Sequence, residues 1–451
     1  MRTFSIFFAL ISCFLVQEAK SQLTFEKREY STRRERLMDL IPDGIAVVRG
    51  ASVPLGNGNF QQYNNMMYFA GVEVPDVILV IDGEKRESTL FFTIDETVAD
   101  GENIPLSLVR DPVSITGVEK YLPAEKFSGF LKQRLTGKKT IVYTPFYPEE
   151  IIGECSGEKF NKFKNSVTEN EWDGRLTREL QFVRILKEQF PQNNVKDCSP
   201  GIWKLRKIKS EAEISILREA AGLGVEAHKA VMRKTKPGTK ELELAALFDY
   251  TCKKNGATDL AFNTIIMSAE HHAYGHYAQY DRTLQEGDFV ILDAGPDLKY
   301  YDTDISTTFP ANGNFSPKQK EIYEFGLWIR GICLENFRPG VSLTQVGAEV
   351  EKKLKEHGYD TSNKKFSGYI KNGGFNHSIG MAVHDKLDSF DRGEPLQSGF
   401  VFACDIMAKA DSVTSIRIED TVAITKDGCE VLSAGLPRTI KEIEAFMKKK
   451  K

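Results

Sequence analysis

The chain has no histidine before residue 228, no Cys-x-x-Cys pair, only three tryptophans and no excess of charge of either sign. Each absence excludes something. The first half cannot supply an imidazole ligand or base from its own residues. Seven widely spaced cysteines exclude a zinc ribbon and a dense disulfide scaffold, and leave room for one or two bridges in an exported chain. Sixty Lys and Arg stand against 63 Asp and Glu, a net charge of -3. That balance excludes a nucleic-acid binder that relies on bulk positive charge. Beyond Val16 no apolar run approaches the ~20 residues a membrane span needs, so no integral span is expected. Glycine and proline usage is ordinary, which excludes collagen and low-complexity disorder.

What is there begins with a targeting pattern. Arg2 precedes an apolar run from Phe4 to Val16, and small residues follow at Ala19 and Ser21. This order reads as a signal peptide over residues 1–21, cleaved after Ser21, and implies export to a periplasm or the exterior. Leu10-Ile-Ser-Cys13 offers a lesser alternative, a lipoprotein anchored at Cys13; the run continuing past Cys13 favours ordinary cleavage.

At 451 residues two domains are expected. Residues 22–200 read as a smaller α/β domain, with a helix over 33–40 and strands over 44–48, 76–81, 89–94 and 140–143. Ser199-Pro-Gly201 is a breaker, and the boundary falls at about 195–205. Residues 201–451 carry helical patterns over 210–234, 317–337, 343–357 and 438–448, and strands over 288–293, 300–309, 399–406 and 416–425. No helix separates the first two of these strands, so the class is α+β. Short motifs are discarded: Gly222-Leu-Gly224 follows no strand, and His272-Ala-Tyr-Gly-His276 lacks the glutamate of a zincin.

The informative residues are carboxylates that end or interrupt apolar strands. Phe289-Val-Ile-Leu-Asp293 finishes in a charge that needs a partner. Asp304 follows eleven residues later, and a turn at Gly295-Pro296-Asp297 is expected to bring the two together. Side by side they repel unless a cation lies between them. The alternative is two aspartates decorating a solvated hairpin. Further on, Asp405 shares a strand face with Val401 and Ala403, and Glu419 shares one with Arg417 and Thr421. His377 follows a glycine-rich approach and adds one nitrogen. An oxygen-rich set with a single imidazole suits two divalent ions, with manganese, iron, cobalt and zinc as candidates.

Asp293, Asp304, His377, Asp405 and Glu419, in that order, resemble the dinuclear ligand set of the pita-bread metallopeptidases. That group includes Xaa-Pro aminopeptidase (aminopeptidase P), prolidase and the creatinase-like enzymes. The strings Asp-Ala-Gly, Tyr-x-x-Asp-Ile, His-Ser-Ile-Gly-x-x-Val-His-Asp and Ile-Arg-Ile-Glu-Asp-Thr-Val carry the resemblance. Phe60 to Asp76 extends it to the creatinase-like N-terminal domain. It implies a metal-dependent aminopeptidase acting on peptides with proline second, two metal ions with manganese first, and a homodimer. Prolidase, a creatinase-like hydrolase and a non-catalytic binding protein are the rival readings. It also implies that His276 binds substrate, that His384 is a second active-site histidine, and that Arg417 flanks the last ligand. Asp405 is expected to accept the proton of the attacking water and pass it to the leaving nitrogen. The chain departs from the family pattern in three places. Asp405-Ile406 stands where Glu-Pro is usual, Ser306-Thr307-Thr308 where Thr-Arg-Thr is usual, and Gly373 where a histidine is often found.

Overall fold

A computed structural model describes residues 23–53, 60–102, 104–149, 161–385 and 392–449. The expected signal peptide, Cys13 and Cys155 lie outside these residues. The five described cysteines, Cys198, Cys252, Cys333, Cys404 and Cys429, are all free thiols.

The first half builds a six-stranded sheet from β1 (Gly44–Arg49), β2 (Ile78–Asp82), β3 (Glu87–Phe91), β4 (Lys120–Leu122), β5 (Ile141–Thr144) and β6 (Val195–Asp197), in the order β4-β3-β2-β1-β5-β6. β1 is antiparallel to β2 and parallel to β5, so the sheet is mixed. The opening helix, Lys27–Leu40, joins this half to the next. Its Arg33 lies 3.4 Å from Glu213, the N3 residue of the capping box that starts the helix Glu211–Lys234. Leu37, Ile202, Leu217 and Ile379 belong to one continuous core across that junction.

The second half builds two sheets. β7 (Asp259–Leu260), β10 (Pro296–Leu298) and β11 (Tyr301–Asp302) form a small one. The large sheet runs β13 (His377–Ser378), β14 (Val401–Lys409), β15 (Ser415–Ile424), β12 (Ser306–Pro310), β9 (Phe289–Asp293) and β8 (Ile265–Ser268), with β16 (Cys429–Val431) against β15. Its described pairings are antiparallel, as the α+β class requires. Helices Glu211–Lys234 and Glu241–Lys254 cover one part of it through Ala227, Phe248 and Leu292. Helices Pro317–Asn336 and Leu343–Glu356 cover another through Cys333, Val350 and Phe402. The helix Glu241–Lys254 and strand β8 were not expected from the sequence.

The strand expected over 300–309 is broken in two, and the turn is not at 295–297. The hairpin reverses at Lys299 and Tyr300, whose φ angles are 54° and 72°, closed by the pair Leu298–Tyr301 and, one step back, by Asp297–Asp302. Two consecutive left-handed residues suit a tight two-residue hairpin, and here neither is glycine, so the sequence carries no signal for it. Gly295 instead serves a crossing: a Cβ there would lie 1.7 Å from the carbonyl oxygen of Thr303. Ala294 N–H donates to Ile305 O at 3.1 Å on one side of that crossing, and Thr303 N–H donates to Pro296 O at 3.3 Å on the other.

Candidate metal centre

Register assembles the site. Asp293 of β9 pairs with Ser306 of β12. Ser306 pairs with Glu419 of β15, and Glu419 with Asp405 of β14. His377 of β13 pairs with Ala403, two residues from Asp405. Directly opposed residues have Cβ atoms ~5 Å apart, so the pairing alone lines up Asp293, Ser306, Glu419 and Asp405. Asp304 is held from β15: its N–H donates to Thr421 Oγ1 at 3.1 Å, and that hydroxyl donates to Asp304 O at 2.8 Å.

The side chains converge in two triads. Ligand atoms of Asp293, Asp304 and Glu419 lie within 4.8 Å of one another, as do those of Asp304, His377 and His384. Asp304 is common to both, and Asp405 is in neither. The rings of His377 and His384 are 4.2 Å apart, centroid to centroid. His276 is placed apart, exposed on the loop between β8 and β9. Its neighbours Tyr274 and Gly275 line the adjoining cleft.

Burial makes this cluster costly. Asp293, Asp304, Asp405 and Glu419 are each 3% exposed or less. Arg417 enters among them. Its Nε and Nη2 donate to Asp405 Oδ2 at 3.1 and 2.9 Å, its Nη1 pairs with Asp293 Oδ2, and its Nε lies 3.6 Å from Glu419 Oε2. Arg417 is therefore an ion-pair partner shared among three carboxylates. Burial raises the pKa of Asp405 to about 7; Arg417 opposes the rise and Glu419 adds to it. Burial also raises Asp293, against the pull of Arg417. Asp304 is raised well above the carboxylate range by burial and by Glu419 and Asp293. Glu419 goes the other way: burial works to raise it, but Arg417 and His377 bring it down to about 2. Burial works to lower His377, yet the carboxylates of Asp304 and Glu419, 3.3 and 3.4 Å from its Nε2, push it up to about 10.

The atoms left without hydrogen bonds decide what fits. Asp293 Oδ1, Asp304 Oδ1, Asp405 Oδ1, Glu419 Oε1 and both ring nitrogens of His377 are buried and lack a hydrogen-bond partner. Buried polar atoms are nearly always satisfied. A converging set of carboxylate oxygens and imidazole nitrogens matches the donor chemistry of divalent first-row cations, so the residues present fit such ions.

The supporting shell is what sequence reasoning missed. Ser306 Oγ donates to Glu419 Oε2 at 2.8 Å. Arg438 donates to Ser306 O at 2.6 Å, to Glu419 O at 2.7 Å and to Asp420 Oδ1 at 2.6 Å. Arg330 holds the other oxygen of Asp420 at 2.6 Å. The argument applied to Asp405 would have found Asp420, a carboxylate inside the apolar strand β15 next to Glu419. Two family departures also find a structural reason. Thr307 Oγ1 hydrogen-bonds His228 Nδ1 at 2.9 Å. Gly373 caps the helix Ser367–Asn372 at φ 69°, where a Cβ would lie 2.6 Å from Val346 Cγ1.

Beside the cluster lies a cleft of about 700 Å³. Ile291, Met407 and Arg417 line it, each two residues along its strand from Asp293, Asp405 or Glu419. Phe325, Tyr369 and Phe375 make its wall apolar.

Residues 215–426 match the model of metallopeptidase family M24, and residues 30–143 match that of the aminopeptidase P N-terminal domain. The Xaa-Pro aminopeptidase of Escherichia coli is 26% identical over 465 residues, covering 93% of this chain and 98% of that protein. The Xaa-Pro dipeptidase of Pyrococcus horikoshii is 30% identical over 308 residues, covering 66% of this chain and 85% of that protein. Among solved structures, Escherichia coli aminopeptidase P with the inhibitor Pro-Leu superposes with a TM-score of 0.73 at 26% identity, covering 94% of this chain and 98% of that one. The zinc-substituted form of the same enzyme in complex with product gives 0.74 at 26% identity, covering 95% and 99%.

Proposed function

The chain belongs to metallopeptidase family M24, and on that premise we propose that it is an Xaa-Pro aminopeptidase. It releases the N-terminal residue from peptides with proline in second place. The observation that carries this reading is the convergence of unpartnered, buried carboxylate oxygens and imidazole nitrogens beside a cleft of about 700 Å³. Divalent ions held there supply an acidified water and a Lewis acid for the scissile carbonyl.

The chain's own residues do the rest. Asp293, Asp304 and Glu419 hold charge in a dry site, where electrostatic interactions are strongest. Arg417 fixes Asp405 by its Oδ2. That leaves Oδ1 to accept a proton from water and return it to the leaving nitrogen. The apolar wall of Phe325, Tyr369 and Phe375 excludes water and accepts peptide side chains. His276, beside the cleft-lining Gly275, is placed to meet the peptide from the solvent side.

A release assay tests the reading. Peptides of three or more residues with proline second should be cleaved, and cleavage should need added divalent metal. Cleavage confined to Xaa-Pro dipeptides would make the protein a prolidase; none with metal present would make it a binding protein. The proposal includes manganese as the first ion to try, a homodimer, and export with cleavage after Ser21. Metal analysis, light scattering and N-terminal sequencing of the exported chain check these in turn.

A further inference from the structure

We propose that His271 is a positioning residue: it bridges Glu241 in the core to Asp281 and so holds the loop carrying His276 against the cleft. This rests on the reading of His276 as a residue that meets the peptide.

The loop has little else to hold it. No backbone–backbone hydrogen bond joins residues 275–279 to the other described residues. Ala269 and Tyr280 bracket the segment with φ angles of 46° and 56°, a left-handed backbone that persists only where surrounding contacts impose it. His271 supplies such contacts on three sides. Its Nδ1 lies 3.0 Å from Glu241 Oε2, and its Nε2 lies 3.4 Å from Asp281 Oδ1. The ring of Tyr277 stacks on its face, 3.8 Å between centroids and 26° between planes. Tyr277 Oη donates to the same Asp281 Oδ1 at 2.5 Å. The residue next to His276 is thus gripped at both its ring and its hydroxyl.

Glu241 is the fixed end of the tie. It is fully buried in the first turn of the helix Glu241–Lys254. Its N–H donates to Arg282 O at 3.0 Å, and its Oε1 accepts from Ser268 Oγ at 2.6 Å. A buried carboxylate cannot shift without losing such partners. The other end reaches the cleft. Tyr277 packs on Met267 and Ile291, its ring lies 5.2 Å from that of Tyr274, and Met267, Ile291 and Tyr274 all line the cleft. Glu241, His271 and Asp281 also bring ligand atoms within 4.8 Å of one another. The two carboxylates face different ring nitrogens, however, and the lone pairs of Nδ1 and Nε2 diverge. The arrangement is a tie between carboxylates and not a metal site.

Steady-state cleavage of a proline-second peptide by the metal-loaded, full-length protein tests this. His271→Ala should raise KM about tenfold, the loss of one hydrogen bond to a charged group, while kcat and metal content hold. Asp281→Ala should do the same, and the double variant no more than either alone, because both cut one tie. Effects that multiply in the double variant, an unchanged KM, or a loss confined to kcat overturn the proposal. Chymotrypsin gives a readout that needs no activity. Cleavage after Tyr274 or Tyr277 should run about tenfold faster in His271→Ala, as the loop opens more often; equal rates overturn the proposal. Should thermal melts show that His271→Ala does not fold, Asp281→Asn, at a side chain 63% exposed, carries both measurements. An unaltered protein that cleaves no proline-second peptide overturns the Xaa-Pro reading, and the chymotrypsin rates still decide the tie.

Discussion

Arg417 and His377 are the cationic partners that four buried carboxylates find among the side chains of the cluster. Removing one partner of a buried ion pair typically costs about 3–5 kcal/mol. A bound divalent cation replaces the lost charge. Arg417→Met should therefore lower the melting temperature of the protein in EDTA by more than it lowers that of the metal-loaded protein. Equal losses in both would show that Arg417 acts through packing alone. His377 serves differently, because its nitrogens have no hydrogen-bond partner. Changing an outer-shell residue commonly costs 10–100-fold in metal affinity, so loss of this ligand should cost roughly 100-fold or more. His377→Ala should lose bound metal and hydrolysis together. Full activity of that variant in a metal-free preparation would contradict the assignment.

Elements meet at Gly295, where the chain crosses itself between β9 and β10. The neighbour there is backbone, the carbonyl oxygen and carbon of Thr303 at 1.7 and 2.6 Å from an added Cβ. Backbone on both sides cannot give way as a flexible side chain can. Gly295→Ala should thus cost at least the ~3 kcal/mol seen for severe overpacking, read as a fall in the denaturant midpoint. It should also weaken metal binding, because the same crossing sets Asp293 and Asp304 apart. A variant as stable as the parent would mean that the crossing relaxes.

Across the whole molecule, stability should fall in acid for a reason separate from the ligands. His228 is fully buried between Thr307 Oγ1 and the carbonyl of Ala294, at 2.9 and 3.1 Å. Burial lowers its pKa to about 3; backbone carbonyls oppose the fall and Arg438 adds to it. His272 is lowered to about 4, again chiefly by burial. An unfolded histidine titrates near 6.5. Between that value and the folded one the unfolded chain binds more protons, so stability rises with pH in that window. The contribution is complete above about 6.5 and is lost as pH falls toward 3. His228→Asn should flatten this acid limb in melts taken from pH 3 to 8, whatever it does at neutral pH. A limb of unchanged slope would sink the account.

The sequence by itself determined the α+β class, four of the helices of the second half, the strands β9, β14 and β15 that carry Asp293, Asp405 and Glu419, and five residues that now stand in one cluster or at its edge. A carboxylate ending an apolar strand cannot be left unpartnered, and that rule is local. It reaches Asp293, Asp405 and Glu419 with no knowledge of the fold, and applied once more it reaches Asp420. What only the tertiary structure decided is register and partnership. Ser306 stands between Asp293 and Glu419, the hairpin turns at Lys299 and Tyr300, and Arg417 takes one oxygen of Asp405 while His384 closes on His377. These facts join residues as many as 113 positions apart, as for Ser306 and Glu419. Alternation along a strand says which face a side chain takes; only the packing of one strand beside another says what it will meet there.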